Sequence, residues 1–136
     1  MRIYMNNKFL IHCSVLFALS VSLSHGANWT AVSIKDDHSL YYDEESIKIV
    51  NGDTNLKQVW QKVIFRIDTE NTRKNDYMLS LEYFNCEDGK RALKKLYIYN
   101  ANRTLKYNFT HEKLKFEDIV PESFSEIVFK SVCLKA

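Results

Sequence analysis

Val120-Pro-Glu-Ser-Phe-Ser-Glu-Ile-Val-Phe-Lys-Ser-Val-Cys133 lies near the C-terminal end of the sequence and decides how the rest is read. Ser123 and Glu126 stand three residues apart, the spacing of a capping box, in which each side chain satisfies a backbone N–H that the helix start leaves without a partner. Phe124, Ile127, Val128 and Val132 then recur at steps of three and four. That spacing predicts one amphipathic helix whose apolar stripe needs a surface to cover. Cys133 ends the stripe, and its available partner is Cys86, at the end of a strand-like run. The expected fold is α+β: an antiparallel β-sheet with a C-terminal α-helix packed on one face and tied to it by a disulfide.

Upstream of the helix the pattern is one of hairpins. Trp29–Ile34 alternates and is β-rich, and Leu40–Asp43 follows a polar turn at Lys35–Ser39. In Asp43-Glu-Glu-Ser46 the Asp43 carboxylate is placed to accept from a backbone N–H two or three residues on. Ile47–Val50 is a short strand, and Asn51-Gly52 is the clearest hairpin signal. Asn55–Arg66 reads as a long strand with Val59, Val63 and Phe65 on one face and Leu56, Trp60 and Ile64 on the other, so both faces are partly covered. Ile67–Asp76 is polar and charged, the expected mobile connection. Tyr77–Cys86 reads as the central strand: Tyr77, Leu79, Leu81 and Tyr83 share one parity, and Met78, Phe84 and Cys86 the other. Cys86 must then point with Phe84, toward the helix. Arg91–Asn100 and Thr104–Thr110 complete the series, with His111–Asp118 left without an assigned element.

The chain has 136 residues, enough for one domain and a leader. Arg2 and Lys8 precede an apolar run at Phe9–Leu23, and Ser24-His-Gly-Ala27 supplies small residues, so residues 1–27 read as a secretory signal and 28–136 as the mature domain. Cleavage after Gly26, with Ser24 three positions back, fits better than cleavage after Ala27, with His25 there, and the site is left open by one residue; the competing reading of the segment is a retained membrane anchor. The leader holds two of the 19 basic residues and none of the 17 acidic ones, leaving 17 of each sign. A neutral domain argues against a nucleic-acid partner, whose binding rests on neutralising phosphates. Once Cys13 leaves with the leader, Cys86 and Cys133 remain, and an even count in an oxidising compartment favours a structural disulfide over free thiols or metal ligands. The mature domain is expected to be exported, to the periplasm, the outer surface or the medium, with no membrane span.

Trp29, Tyr41-Tyr-Asp43, Ser46-Ile47, Val59-Trp60, Tyr83-Phe-Asn-Cys86, Pro121-x-Ser123 and Val132-Cys133 occur in an order that resembles the bacterial surface-adhesin protein E-like family. The likeness covers essentially the whole mature chain. It departs at His38, where the family commonly has Gly, and at Asn85, where it has Asp. The resemblance implies an antiparallel sheet with a disulfide-tied C-terminal helix, and a function as an adhesin toward host matrix proteins. It also implies that the sequons at Asn28, Asn102 and Asn108 carry no glycan.

The residues themselves offer little for catalysis. His38 and His111 are far apart, and no serine sits in a nucleophile motif. Asp36-Asp37-His38 could offer metal ligands, and Asp43, Glu44 and Glu45 one carboxylate of a glycosidase pair, but solvated, charged turns explain both stretches fully. No metal or other cofactor is expected. For binding, Lys90, Arg91, Lys94 and Lys95 run into Leu96-Tyr97-Ile98-Tyr99, with Lys106 and Tyr107 nearby. Cations among exposed aromatics suit an anionic glycan or an acidic protein patch. The plainer reading is a two-faced strand with lysines in water and tyrosines partly in the core. The doubly apolar Asn55–Arg66 strand and the sheet edges also admit a homodimer, and a bacterial envelope protein is the alternative partner.

Overall fold

The computed structural model describes residues 26–134, so most of the expected leader lies outside the described residues. One antiparallel sheet holds eight strands: β1 Trp29–Ile34, β2 His38–Asp43, β3 Lys48–Val50, β4 Asp53–Phe65, β5 Tyr77–Asn85, β6 Lys90–Tyr99, β7 Leu105–Thr110 and β8 Glu117–Asp118; helix α1, Phe124–Cys133, follows. The order is β1-β2-β4-β5-β6-β7. β4 is long enough to pair with β2 along its second half and β3 along its first, and β6 serves β8 and β7 in the same way. The expected fold is the observed one, and among the described residues no helix is long and apolar enough to cross a membrane.

Local chemistry explains how one long strand serves two short ones. Between β2 and β3 the chain makes a 3-10 turn at Glu44–Ser46, with Asp43 Oδ1 accepting from Glu45 N at 3.2 Å, as its position predicts, and from Asn28 N at 3.0 Å. Ser46 Oγ donates to the Asp43 carbonyl at 2.7 Å and accepts from Trp60 N at 2.9 Å. A side-chain oxygen thus stands where the ladder lacks a strand carbonyl. Asn51 and Gly52, at φ 52° and 75°, form the tight hairpin into β4.

Alternation puts Leu40, Tyr42, Val59, Val63 and Phe84 on one face, where with Val128 and Val132 of α1 they form the buried core. Phe84 meets Phe129 edge-to-face at 5.9 Å. The helix is fastened at both ends. At its start Ser123 Oγ accepts from Glu126 N at 3.2 Å. The reciprocal half of the capping box is displaced by one residue: Glu126 Oε2 accepts from Glu122 N at 2.8 Å, while Ser123 N donates to the Val120 carbonyl. At its end Lys57 Nζ donates to the Val132 carbonyl at 3.1 Å, a cation where the helix dipole is negative. Cys133 is bonded to Cys86 with the two Cα atoms 5.4 Å apart.

Residues 67–76 are bound more tightly than a charged loop implies. Thr69 and Thr72 close one turn, Asp68 accepts from Lys74 N at 2.8 Å, and Asp76 is buried. Asp76 accepts from Arg73 N, Ala101 N and Lys106 Nζ at 3.0, 3.2 and 3.1 Å. The Arg73 amide leads these donors in holding its carboxyl below the ordinary value, with burial opposing.

Candidate binding site

The sheet face away from α1 is the candidate site. In register across it lie Tyr41, Lys62, Leu79 and Tyr97, flanked by Ile64, Tyr77 and Tyr99 on one side and by Trp60, Leu81 and Lys95 on the other. Tyr77 and Tyr99 stack at 5.0 Å, Tyr97 lies 6.5 Å from Tyr99, and Trp60 is 6.1 Å from Tyr97. Lys62 Nζ lies 5.6 Å from the Trp29 ring and 5.1 Å from that of Tyr77, within cation–π range of both. A depression of about 140 Å³ opens between Trp29, Tyr41, Lys62 and Ile64. A second, of about 370 Å³, lies beside Trp60, with Asp43, Lys48 and Gln58 among its walls. These rings are half-buried against one another, which holds their planes in place before any ligand arrives. Asp43 is already engaged by the backbone N–H groups of Glu45, in its turn, and of Asn28, so the ionic side chains presented at the centre of this face are lysines.

A bulge decides which of the expected binding residues belong here. Leu81 pairs with Lys95 but Glu82 pairs with Leu93, so Lys94 is an extra residue in β6. Regular alternation would put Arg91 with Lys95, Tyr97 and Tyr99. The inserted residue sends Arg91 and Leu93 to the helix side instead and leaves Lys95, Tyr97 and Tyr99 on the open face. Arg91 Nη2 binds Glu117 at 2.8 Å and Nη1 reaches Glu82 at 3.5 Å. Lys94 Nζ donates to the carbonyls of His111 and Glu112 at 2.7 and 3.1 Å. Lys90 stands 3.8 Å from Asp118. The first three cations of the run therefore fasten the segment 111–118 to β6. Lys106 holds Asp76, and Tyr107, paired with Ile98 rather than with the open-face tyrosines, is 53% exposed.

The histidines sit apart from this face. His38 Nδ1 is 2.8 Å from Asp37 Oδ1, and its ring meets Phe124 edge-on at 4.7 Å. Both line a cavity of about 250 Å³ with Thr69 and Thr72, whose hydroxyls bond each other at 2.8 Å. His38 Nε2 is buried with no hydrogen bond, so no hydroxyl is joined to it as a nucleophile would be. His111 shares a cavity of about 190 Å³ with Arg91 and Glu117, and that carboxylate is bound to the guanidinium. Among the described residues no three His, Cys, Asp or Glu side chains are grouped to hold a metal.

Lys62, Trp60 and Tyr77 were not singled out as binding residues by sequence. The signal was present in the even-numbered parity of β4, but which parity stays uncovered depends on where the helix lands.

The family model for surface-adhesin protein E matches residues 29–134. No curated protein matches the chain. Among solved structures, the chain is similar to Haemophilus influenzae protein E, with a TM-score of 0.48 and 11% identity over 79% of this chain and 92% of that one. The family match spans nearly every described residue, and the chain belongs to the surface-adhesin protein E family, whose members are surface-exposed or secreted.

Proposed function

We propose that this chain is an exported, non-catalytic adhesin domain that holds macromolecules of the host matrix or cell surface against the open face of its sheet. The observation that carries this reading is the array of Trp60, Tyr97, Tyr99, Tyr77 and Trp29 around Lys62, with Lys95 beside it. Flat rings supply apolar contact at low entropy cost, and the lysines select for acidic groups, whether sulfated sugars or an acidic protein patch. Catalysis finds no support at either histidine, because neither is joined to a nucleophile. The domain boundary after residue 27 follows the leader proposed from sequence. Lys90, Arg91 and Lys94 are engaged with the segment 111–118, and Lys95, Tyr97 and Tyr99 are the members of that run that reach a ligand.

The test is binding of oxidised 28–136 to immobilised matrix glycoproteins and sulfated glycans across a salt series. Saturable binding that survives physiological salt is expected, falling about tenfold or more in Trp60→Ala, Tyr97→Ala and the double variant Lys62→Gln/Lys95→Gln. Binding that disappears with modest salt would reduce the interaction to loose charge attraction. Absence of binding, with an envelope protein recovered by crosslinking, would assign the domain to a periplasmic docking role. Sedimentation across a concentration range decides whether a second copy occupies the same face; the adhesin reading expects the open-face variants to leave the mass unchanged.

A further inference from the structure

Lys62, at the middle of the open face, is half-buried, yet its ammonium meets no carboxylate and donates no hydrogen bond among the described residues. It lies instead between two rings, Trp29 at 5.6 Å and Tyr77 at 5.1 Å. Tyr77 is fixed in turn by stacking on Tyr99 at 5.0 Å. Lys62 also lines the depression of about 140 Å³, together with Trp29, Tyr41 and Ile64. Asp43 sits opposite Trp29 in the β1–β2 ladder, but its carboxylate is taken by the N–H groups of Asn28 and Glu45. The slot therefore holds a cation, aromatic walls and no counter-charge.

A partly desolvated cation without a partner specifies an anion, and the walls specify what carries it. The slot lies over β1, β2 and β4, and beneath Tyr41 and Lys62 the backbones of β2 and β4 are paired on both sides. A peptide main chain laid here would lose the hydration of its N–H and C=O groups and gain no partner. An acidic side chain alone would reach the ammonium and leave the rings uncovered. A sugar ring presents a flat C–H face to Trp29 and Tyr41 and keeps its outer hydroxyls in water. The number of cations then selects among acidic sugars. Lys95 is two strands across and two residues along from Lys62, about 12 Å between Cα atoms at ordinary strand spacings. One ammonium matches one carboxylate, whereas the three terminal oxygens of a sulfate ester call for a cluster of donors.

We infer that the slot formed by Lys62, Trp29 and Tyr41 is a subsite for one carboxylate-bearing sugar ring, a sialic acid or a uronic acid, in the glycan of the macromolecule held by the open face. The inference rests on the adhesin reading and deepens it by naming the group that Lys62 receives. The carboxylate meets Lys62 Nζ, and the C–H face of the ring covers Trp29. Sialic acids end glycan chains and uronic acids repeat within them, so the two sources share this chemistry and differ in their place along the chain.

The experiment titrates the methyl α-glycoside of N-acetylneuraminic acid and methyl β-D-glucuronide, separately and at millimolar concentrations, into the oxidised mature chain. The readouts are the Trp29 indole N–H and Lys62 side-chain NMR signals. At least one acid is expected to shift both signals saturably. Response to the neuraminic acid alone assigns a chain end, to the glucuronide alone an internal ring, and to both the shared carboxylate ring. Methyl β-D-glucoside, which has no charge, should bind about tenfold more weakly or worse than the acid that binds. Lys62→Met should lose a similar factor and Lys62→Arg should largely keep the affinity, a contrast that a merely structural Lys62 would not give. Silence of both acids in the parent overturns the inference, whether or not Lys62→Met folds. So does tighter binding of glucose 6-sulfate or of N-acetyl-aspartate amide, which would name a sulfated glycan or an acidic peptide instead. Binding to matrix glycoproteins, measured alongside, separates the failures. If it persists while both acids are silent, the subsite alone falls; if it is absent as well, the adhesin reading falls with it.

Discussion

The two faces of this sheet are built from alternate residues of the same strands, yet they do different work. The helix-covered face holds the dry core of Leu40, Tyr42, Val59, Val63 and Phe84 under Val128 and Val132, closed by a disulfide and by Lys57 on the last turn. The open face carries a comparable set of large side chains, but its aromatic rings lean on one another rather than on a second layer and are left partly exposed. Free energy of folding therefore concentrates on one side and preorganised contact surface on the other. Substitutions should separate the two: stability lost without a change of surface on the covered side, and binding lost with little change of stability on the open side.

The largest expected effect comes from the staple. Cys86 and Cys133 are 47 residues apart, and opening a loop of that length restores unfolded-state entropy worth about 4 kcal/mol in the chain-entropy account. The double variant Cys86→Ala/Cys133→Ala should lower stability by about that amount in urea titration, a large share of what a domain of this size possesses. An unchanged midpoint would show that packing alone holds α1 down.

Much of this division was legible before any coordinates. The steps of three and four in Phe124–Val132 and the parity of Met78, Phe84 and Cys86 together specify the covered face, because a helix stripe and a strand parity must meet where the cysteines meet. The hairpin at Asn51-Gly52 is local chemistry and reads directly. The binding face was less legible for a physical reason. The bulge at Lys94 reverses alternation with no residue that announces it, so Arg91 was grouped with Lys95 although they project to opposite sides. Asp76 was missed because its partners Ala101 and Lys106 lie 25 and 30 residues on, and nothing near Asp76 in the sequence marks it as buried.

That carboxylate gives the second prediction. Asp76 and Glu82 are both buried acids, one with three donors and the other short of them. Asp76→Asn gives up a charged acceptor and places an amide donor among donors, at an expected cost of about 2–3 kcal/mol. Because its folded pKa lies below the ordinary 3.8, its contribution is present above that value and lost as pH falls through the folded one. The parent should lose this stability on acidification, and Asp76→Asn should show a flatter acid limb in denaturant titrations.

Glu82 runs the other way and the effect is smaller. Its folded pKa lies above the ordinary 4.5, so the folded state holds its proton more tightly than the unfolded chain does. Stability is then greatest below the unfolded value and declines as pH rises through the folded one. Glu82→Gln should remove that decline and raise stability near neutral pH by about 1 kcal/mol, the scale of one buried hydrogen bond. Lower stability at neutral pH in this variant would mean that the Arg91 and Ser125 contacts outweigh desolvation.

The smallest expected effect on folding is the most informative about function. Lys95 has no ion pair or side-chain hydrogen bond among the described residues and sits at the margin of the aromatic array opposite Leu81. Lys95→Gln should leave the urea midpoint unchanged within about 0.5 kcal/mol, as for other substitutions away from caps, cores and networks. If the open face receives acidic groups, the same variant should weaken binding and make what remains less sensitive to salt, since one screened charge interaction has gone. Arg91→Gln provides the contrast. It projects to the helix side, holds Glu117 and approaches Glu82, so it should cost stability and leave the salt dependence of binding as it was. Were the two variants to exchange these behaviours, the ligand would lie on the helix side, and the division of labour between the faces would be the reverse of the one argued from their packing.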